Sequence, residues 1–499
     1  MLIVRAVEDL PQYGMKKGQE IAFYVVDAHH HMGKEKSHRN TPSGAYDFYA
    51  LLWFEMQRMA KEMLDRDELL LEPVRVEPPP AVARLFGSRD DWNAFNHGWL
   101  VDRTVVFPYS DDYARSGFPQ NASFKVSNDR IAGWSTRAPN SARLIGFARV
   151  DPMDYKEGRP DLAVVELERA VKTLGLRGLK LHPLSQLFVD DLTSTPVKEV
   201  LLKAFELNIP VLFDTRNIRT VSKIVELTEA LAGPAIDRSY SGVIVAHCGM
   251  SPGDPALYKY LGHPRVYGET STLHGNDVPL LFKSARERIV SDGNRWSEKL
   301  IFGTDYTFLS VQAAQVVLFM LSRDFPGNLA DIQRVLAGNI LSLVRTPMKT
   351  DAGCTLKPRQ LLLRRQSSSV LEALEREVFS LVSDGEWETS SLDFLIPPSG
   401  TWPEPRVEES GWFCGVDIES YVLTIVHRES RREVHLLFRQ HPGDIVTLSV
   451  IGSRGEPTLC TTEHSTQRMN YELERTLSKN SRQIDSPDAV HAALKSLLP

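Results

Sequence analysis

Val25-Val26-Asp27-Ala28-His29-His30-His31 runs from apolar residues into three consecutive imidazoles, and the fold turns on how this heptapeptide is read. Side chains along a strand alternate between faces, so His29 and His31 point one way and His30 the other. Two imidazoles on one face at the end of an apolar strand can meet one metal ion at roughly 2.0–2.1 Å each. A histidine-rich turn satisfies the same seven residues, so the rest of the chain has to separate the two readings. Apolar, β-rich runs recur at residues 21–31, 104–109, 144–150, 178–182, 211–215, 242–247, 265–271 and 300–305. Several are almost continuously apolar, as parallel strands covered on both faces are.

Amphipathic segments lie between the later runs. Residues 161–174 place Leu162, Val165, Leu167, Ala170, Val171 and Leu174 at helical spacing, and residues 197–207 and 221–231 behave similarly. Strands alternating with helices in this way predict an α/β fold, a (β/α)8 TIM barrel over residues 1–348, in preference to an open sheet. A last helix over 329–344, with Ile332, Val335, Leu336, Ile340 and Leu343 on one face, is expected to close it.

Residues 33–100 form an insertion after the first strand. It holds a helix over 46–64, with Tyr46, Tyr49, Trp53, Met56, Met59, Ala60 and Met63 at helical spacing, and then Pro78-Pro79-Pro80, which force an extended chain. Two readings stay open for this helix: a lid over the rim where barrel active sites lie, or a helix packed on the outside. Residues 349–370, rich in Pro, Gly, Arg and Ser, read as a linker. Residues 371–499 are expected to form a smaller α+β domain of unknown role. Its helix begins at Ser369, with Glu372 completing a capping box. Strands follow at 421–428, 433–440 and 445–451, and a short helix at 487–498.

A net charge of −6 over 499 residues lacks the basic excess of a phosphate-driven nucleic-acid binder. The four cysteines, Cys248, Cys354, Cys414 and Cys460, form no CxxC pair and are too sparse for a disulfide framework. No run approaches the ~18 apolar residues of a membrane span. Arg5, Glu8 and Asp9 interrupt the apolar start that a signal peptide would need. A cytoplasmic protein is expected, acting on a small-molecule substrate, with neither a membrane nor a nucleic-acid partner. Homo-oligomerisation is compatible with the sequence.

Three more strand ends carry chemistry. Asp305, in Gly303-Thr304-Asp305-Tyr306, is either a turn aspartate or a buried carboxylate that a nearby cation keeps ionised. In the second case it can take a proton from a polarised water. Leu179-Lys180-Leu181-His182 puts Lys180 and His182 on one face, and Ala246-His247-Cys248-Gly249 places His247 after another apolar run. A lone strand-end histidine is ordinarily structural. Four strand ends bearing metal-competent or acid–base groups on one rim are hard to reach by chance.

At these residues the chain resembles the amidohydrolase superfamily, and within it the branch of aminocarboxymuconate-semialdehyde decarboxylase and related metal-dependent hydrolases. The resemblance spans about residues 20–345. It rests on Asp27-x-His29-x-His31, Ala246-His247-Cys248-Gly249, Gly303-Thr304-Asp305-Tyr306 and Gly338-Asn339, in the family's order. It implies that His29, His31 and Asp305 bind a divalent metal, usually zinc, and that His247 activates water or polarises the substrate. One position departs from the family. Asp214, in Phe213-Asp214-Thr215-Arg216, stands where many relatives have a metal-binding histidine. A carboxylate also binds zinc, at about 2.0–2.2 Å. Two histidines with two carboxylates make a harder site that tolerates Mn²⁺ or Fe²⁺. His182 leaning in from the preceding strand is the alternative fourth ligand.

The activity implied is metal-dependent hydrolysis of a C–N or C–O bond in a small cyclic or aromatic substrate. Non-oxidative decarboxylation on the same fold is one alternative. A degenerate barrel acting as a binding or scaffold protein, suggested by Asp214, is the other. Lys180, Arg216 and Arg149 are candidates for substrate contact. For Lys180 a metal-bridging carbamate competes with an ordinary ion pair, for Arg216 a carboxylate clamp with a surface loop, and for Arg149 a place over the site with a buried ion pair. Glu269 is a candidate to orient a ligand histidine. Cys248 should face away from the site.

Overall fold

The computed structural model describes residues 1–35, 38–79, 82, 94–110, 112, 122–136, 139–154, 161–231, 242–289, 296–306, 310–344, 346–347, 355–356, 362–363, 369–383, 385–395, 412–414, 416–417, 420–430, 433–441, 445–451 and 481–498. Parallel strands dominate its first part. Val26–Glu35, Arg103–Pro108 and Leu144–Gly146 pair in parallel in one sheet, which His38–Asn40 extends antiparallel. Ala148–Arg149, Leu179–Leu181, Val211–Phe213, Val243–Val245, Val266–Glu269 and Leu300–Ile301 form a six-stranded parallel sheet in that order. Each β-rich run in the sequence thus overlaps a strand, and from Leu144 onward the strands are shorter than their runs.

Backbone hydrogen bonds link the two sheets at both ends. At one seam Phe147 N–H donates to Val106 O at 2.8 Å, and Arg177 N–H to Gly146 O at 2.7 Å. At the other, Ala28 N–H donates to Phe302 O at 3.0 Å and Asp305 N–H to His29 O at 2.8 Å. The second seam brings the histidine-bearing strand beside the aspartate-bearing one.

The predicted first strand, 21–31, is corrected. Glu20–Phe23 belongs to a separate sheet, antiparallel to Leu2–Ala6, which in turn pairs with Leu71–Val76. The chain leaves that sheet at Tyr24. There the Gln333 side chain takes over both backbone groups, accepting from Tyr24 N–H at 3.0 Å and donating to Tyr24 O at 2.8 Å. Ile21–Phe23 and Val26–His30 are alike buried, so a nearly unbroken apolar pattern hides the change of sheet.

Helices Leu162–Lys172, Thr195–Glu206 and Ile218–Leu231 lie within three residues of their predicted limits. The expected helix at 329–344 is interrupted by a wider π turn, Arg334–Gly338, where Val335 O accepts Phe302 N–H at 2.9 Å. Such turns let a helix release a carbonyl to an outside donor.

The insertion helix runs from Pro42 to Asp65, four residues earlier than its apolar spacing suggests. Proline suits the first helical turn, where no N–H is needed. Its buried stripe includes Tyr46, Phe48, Tyr49, Leu52 and Met56. Phe48 packs on Tyr306, with ring centroids 4.8 Å apart, and Tyr49 on His30 at 5.6 Å. The helix thus packs on the side of the strand that carries His30. Pro80, with residues 81 and 83–93, lies outside the described residues, as does most of the 349–370 linker.

Toward the C-terminus, Trp387–Leu395, Ser420–His427, Glu433–His441, Ile445–Ile451 and Ser481–Ile484 form an antiparallel five-stranded meander. Its apolar face buries Ile425, Val434, Leu436, Phe438, Val446 and Leu448, together with Val370 and Leu374 of helix Ser369–Ser383 and Val490 and Leu494 of helix Val490–Leu497. A further short strand, Trp412–Cys414, pairs in parallel with Glu20–Phe23. Among the described residues no helix is long and apolar enough to cross a membrane.

Candidate metal centre

Alternation along Val26–Glu35 separates the three histidines as expected. His29 and His31 turn toward Asp305, and His30 toward the Pro42–Asp65 helix. Asp305 follows its strand in a left-handed conformation, φ +50°, and His247 begins a left-handed turn, φ +57°, that continues through Cys248 and Gly249. Non-glycine residues rarely adopt this conformation, and it collects at functional sites where the surroundings enforce it.

His29 Nε2 and His31 Nε2 each lie 3.2 Å from Asp305 Oδ1. Two donors about 2.1 Å from a tetrahedral ion stand about 3.4 Å apart, so this spacing fits one metal ion. Asp305 Oδ2 is buried with no hydrogen bond, and His247 Nε2 is 3.7 Å from it. The donor set, its burial and this unbonded oxygen all fit a divalent cation.

Asp214 collects a second group. Its Oδ2 lies 3.4 Å from His182 Nε2, 3.4 Å from His247 Nε2 and 3.5 Å from Lys180 Nζ, while Oδ1 accepts Arg216 Nε–H at 3.0 Å. Asp214, His247 and His29 also lie close enough to share an ion. Lys180 Nζ donates to His29 Nε2 at 2.9 Å, so its ammonium sits between the two groups. Asp214 and His182 therefore both reach the site, Asp214 as the hub.

Charge follows from burial and these neighbours. Burial holds His31 down to about 3 and His182 down to about 2, although Asp305 and Asp214 pull the other way, so both imidazoles are neutral. Burial lowers Lys180 to about 8, opposed by Asp214 and Asp305. Burial resists charge on Asp305 and Asp214 too, but the histidines around Asp305, and Lys180 beside Asp214, hold both far below the usual carboxylate range. His247 is raised, because Asp214, Asp305 and Glu269 outweigh its burial.

Two buried carboxylates brace these side chains. Glu269 Oε2 accepts His29 Nδ1–H at 2.9 Å, the contact its place on the Val266–Glu269 strand suggested. Asp27, on the same strand as the histidines, has Oδ1 accept His29 N–H at 3.0 Å and Thr304 N–H at 2.9 Å. Its Oδ2 accepts Thr304 Oγ1–H at 2.6 Å and Tyr49 O–H at 2.7 Å. One carboxylate so ties the backbone of His29 to the residue before Asp305, and the insertion helix to both.

Arg149 is fully buried between the rings of Phe107 and Phe124, at 5.9 and 5.8 Å, and its charge is felt by Lys180 and His182. It therefore lies beside the site. Arg216 is over a third exposed at the edge. Cys248 is buried, its sulfur against Gly268 and away from the donors. Sequence reasoning missed Phe107, within 5.4 Å of His29 and 4.9 Å of His31, and Tyr109, stacked on His31 at 5.2 Å. It also missed Thr304, Tyr49 and Ser271. Thr304 lies inside a motif already singled out; for Tyr49 no signal exists short of the fold.

Residues 115–345 match the sequence model of the family described as amidohydrolase. No curated protein matches the chain. Similar solved structures include 4-oxalomesaconate hydratase from Rhodopseudomonas palustris, at 14% identity and a TM-score of 0.37, covering 63% of this chain and 94% of that one. An amidohydrolase from Mycobacterium avium subsp. paratuberculosis is 13% identical, with a TM-score of 0.36, over 64% of this chain and 97% of that one. Dihydropyrimidinase from Brevibacillus agri is 12% identical, with a TM-score of 0.31, over 71% and 78%. The matched stretch, which holds Lys180, His182, Asp214, His247 and Asp305 but not His29 or His31, is similar to the amidohydrolase family.

Proposed function

We propose that the chain is a metal-dependent hydrolase that adds water across a C–N or C–O bond of a small cyclic or aromatic substrate. The observation that carries this is the meeting of His29 Nε2, His31 Nε2 and Asp305 Oδ1 at separations suited to one ion. We read the two parallel sheets as one (β/α)8 barrel, which the backbone bonds at both seams support. The site then lies at the C-terminal ends of the strands, where barrel enzymes keep their chemistry.

His29, His31 and Asp305 would hold the ion with Asp214 as fourth ligand. Zinc suits the histidines, and the two carboxylates admit Mn²⁺ or Fe²⁺. When bound, such an ion polarises water or a substrate oxygen and brings the pKa of water toward about 7. Asp305, held ionised, accepts a proton from the attacking water at Oδ2. The hydroxyl oxygen goes to the electrophilic carbon, and the proton goes to the departing nitrogen or oxygen. His247 receives that proton at Nε2 and passes it to the leaving atom. Lys180, Arg216 and Arg149 hold anionic groups of the substrate.

Those three cations favour a second reading, decarboxylation, in which a substrate carboxylate leaves as CO₂ and a proton takes its place. Incorporation of ¹⁸O from labelled water into the product supports hydrolysis; CO₂ release without it supports the second reading.

The fourth ligand has its own test. Asp214→Ala should lower metal retention at least tenfold after dialysis, whereas His182→Ala should keep the metal and mainly lower turnover. Metal content per chain decides it: an empty site in His182→Ala with a filled one in Asp214→Ala reverses the assignment. Near-stoichiometric transition metal in the parent protein supports the enzyme, and a metal-free, chelator-indifferent chain supports a binding or scaffold role.

The domain division is also a proposal: residues 1–348 as the barrel and 371–499 as an appended unit. Every candidate site residue precedes residue 307. A chain ending at Met348 should stay soluble and keep its metal, but melt a few degrees lower. Glu20–Phe23 would lose Trp412–Cys414 and expose an unpaired edge. An insoluble or metal-free product means the tail is part of the working unit.

A further inference from the structure

Ser271 Oγ lies 2.7 Å from Glu269 Oε2 and 2.9 Å from His247 Nδ1. A serine hydroxyl has one hydrogen to give. The serine hydroxyl donates to Glu269, so its oxygen is left to accept a hydrogen from His247 Nδ1. The same Glu269 oxygen accepts His29 Nδ1–H at 2.9 Å. Glu269 Oε1 in turn accepts Ser271 N–H at 2.5 Å, which keeps the serine in place. Glu269 and Ser271 are almost fully buried, so water does not compete for these bonds.

We infer that Glu269, directly and through Ser271, fixes the tautomers of His29 and His247 together, which makes Ser271 a positioning residue for His247. With a proton on each Nδ1, both rings present an Nε2 lone pair to the site. On His29 that lone pair faces Asp305 and Lys180. On His247 it faces Asp214 and Asp305. A ring nitrogen's role is set by the bond the other nitrogen makes. Here one carboxylate sets two rings that stack with centroids 5.2 Å apart. A mobile proton on His247 is thereby confined to Nε2, the atom that faces the reacting groups. The inference rests on the proposed role of His247 in moving protons, but the tautomer itself is measurable without a substrate.

The test is long-range ¹H–¹⁵N NMR of the metal-loaded protein with labelled histidine, the His247 signals being those lost in His247→Gln. In the parent, His247 Nδ1 should be of the protonated type and Nε2 of the unprotonated type. Ser271→Ala should move the proton to Nε2 in at least half the molecules, Ser271→Thr should restore the parent pattern, and His29 should keep its tautomer in both. An Nε2–H ring in the parent protein overturns the inference even if no variant folds. Unchanged His247 signals in folded Ser271→Ala overturn it equally. A tautomer shift with unchanged turnover leaves the inference standing and refutes the proposed proton-moving role of His247.

Discussion

His29→Ala should purify with less than a tenth of the parent's bound metal and no detectable hydrolysis, while His30→Ala should keep its metal in whatever fraction folds. The two residues are neighbours with the same side chain, and only the face they occupy differs. His29 supplies a donor 3.2 Å from Asp305 Oδ1 and is braced from behind by Glu269. His30 instead stacks on Tyr306 at 4.7 Å, contacts Asn40 through Nε2 at 3.0 Å, and reaches Asp27 and Tyr49 through Nδ1. Removing it leaves a cavity and unpaired polar groups, at a combined cost of about 2–4 kcal/mol in stability. Metal content measured per folded chain, beside denaturant midpoints, separates the effects. Equal metal loss from both variants, or from neither, would refute the division of faces.

That division was legible because a strand repeats every two residues, and Asp27-x-His29-x-His31 uses the repeat directly. The parallel strands were legible for a similar reason: burial on both faces leaves runs of apolar residues that no helix period explains. What the pattern could not carry was a change of partner within such a run. Ile21–Phe23 and Val26–His30 are alike buried, and the break at Tyr24 is made by Gln333, more than 300 residues away. The leading antiparallel sheet was missed because its strands are short and its Leu71–Val76 member lies inside the insertion.

The candidate ligands could be named from strand ends, but not how they divide into groups. Which strand end meets which depends on how adjacent strands are staggered, and single residues do not record that. So His31 and Asp305 come together on neighbouring strands, while Asp214 gathers the lysine and histidine of the strand before it and the histidine of the strand after it. Ser271 is inconspicuous in the sequence for the same reason. A serine after a strand is ordinary until a buried carboxylate and an imidazole appear on either side of it.

Arg143→Ala should destabilise the protein by about 4 kcal/mol or more, the largest stability loss expected of any single change away from the metal ligands. Its guanidinium is fully buried and donates to four carbonyls, those of Phe95, His97, Gly98 and Val101, at 2.6–2.9 Å. It is sandwiched between the rings of Tyr46 and Trp99, 4.0 and 3.9 Å from their centroids. Burying a charge is unfavourable in itself, so its removal recovers some free energy. Against that, each carbonyl left dry and unpaired costs about 1–3 kcal/mol, and four of them outweigh the recovery. Arg143→Lys should rescue little, because an ammonium has three donors and no plane to fit between two rings. The loop these carbonyls form leads into Arg103–Pro108, whose end places Phe107 against His29 and His31. Loosening it should therefore weaken metal binding as well. Because metal binds only the folded chain, an excess of about 100 times Kd should return about 2.7 kcal/mol in the parent, and less in the variant if the two regions are coupled. Denaturant titrations with and without zinc measure both quantities. A variant within about 1 kcal/mol of the parent would show that water replaces the guanidinium at the four carbonyls, and an undiminished zinc effect would show that the loop and the metal centre are energetically separate.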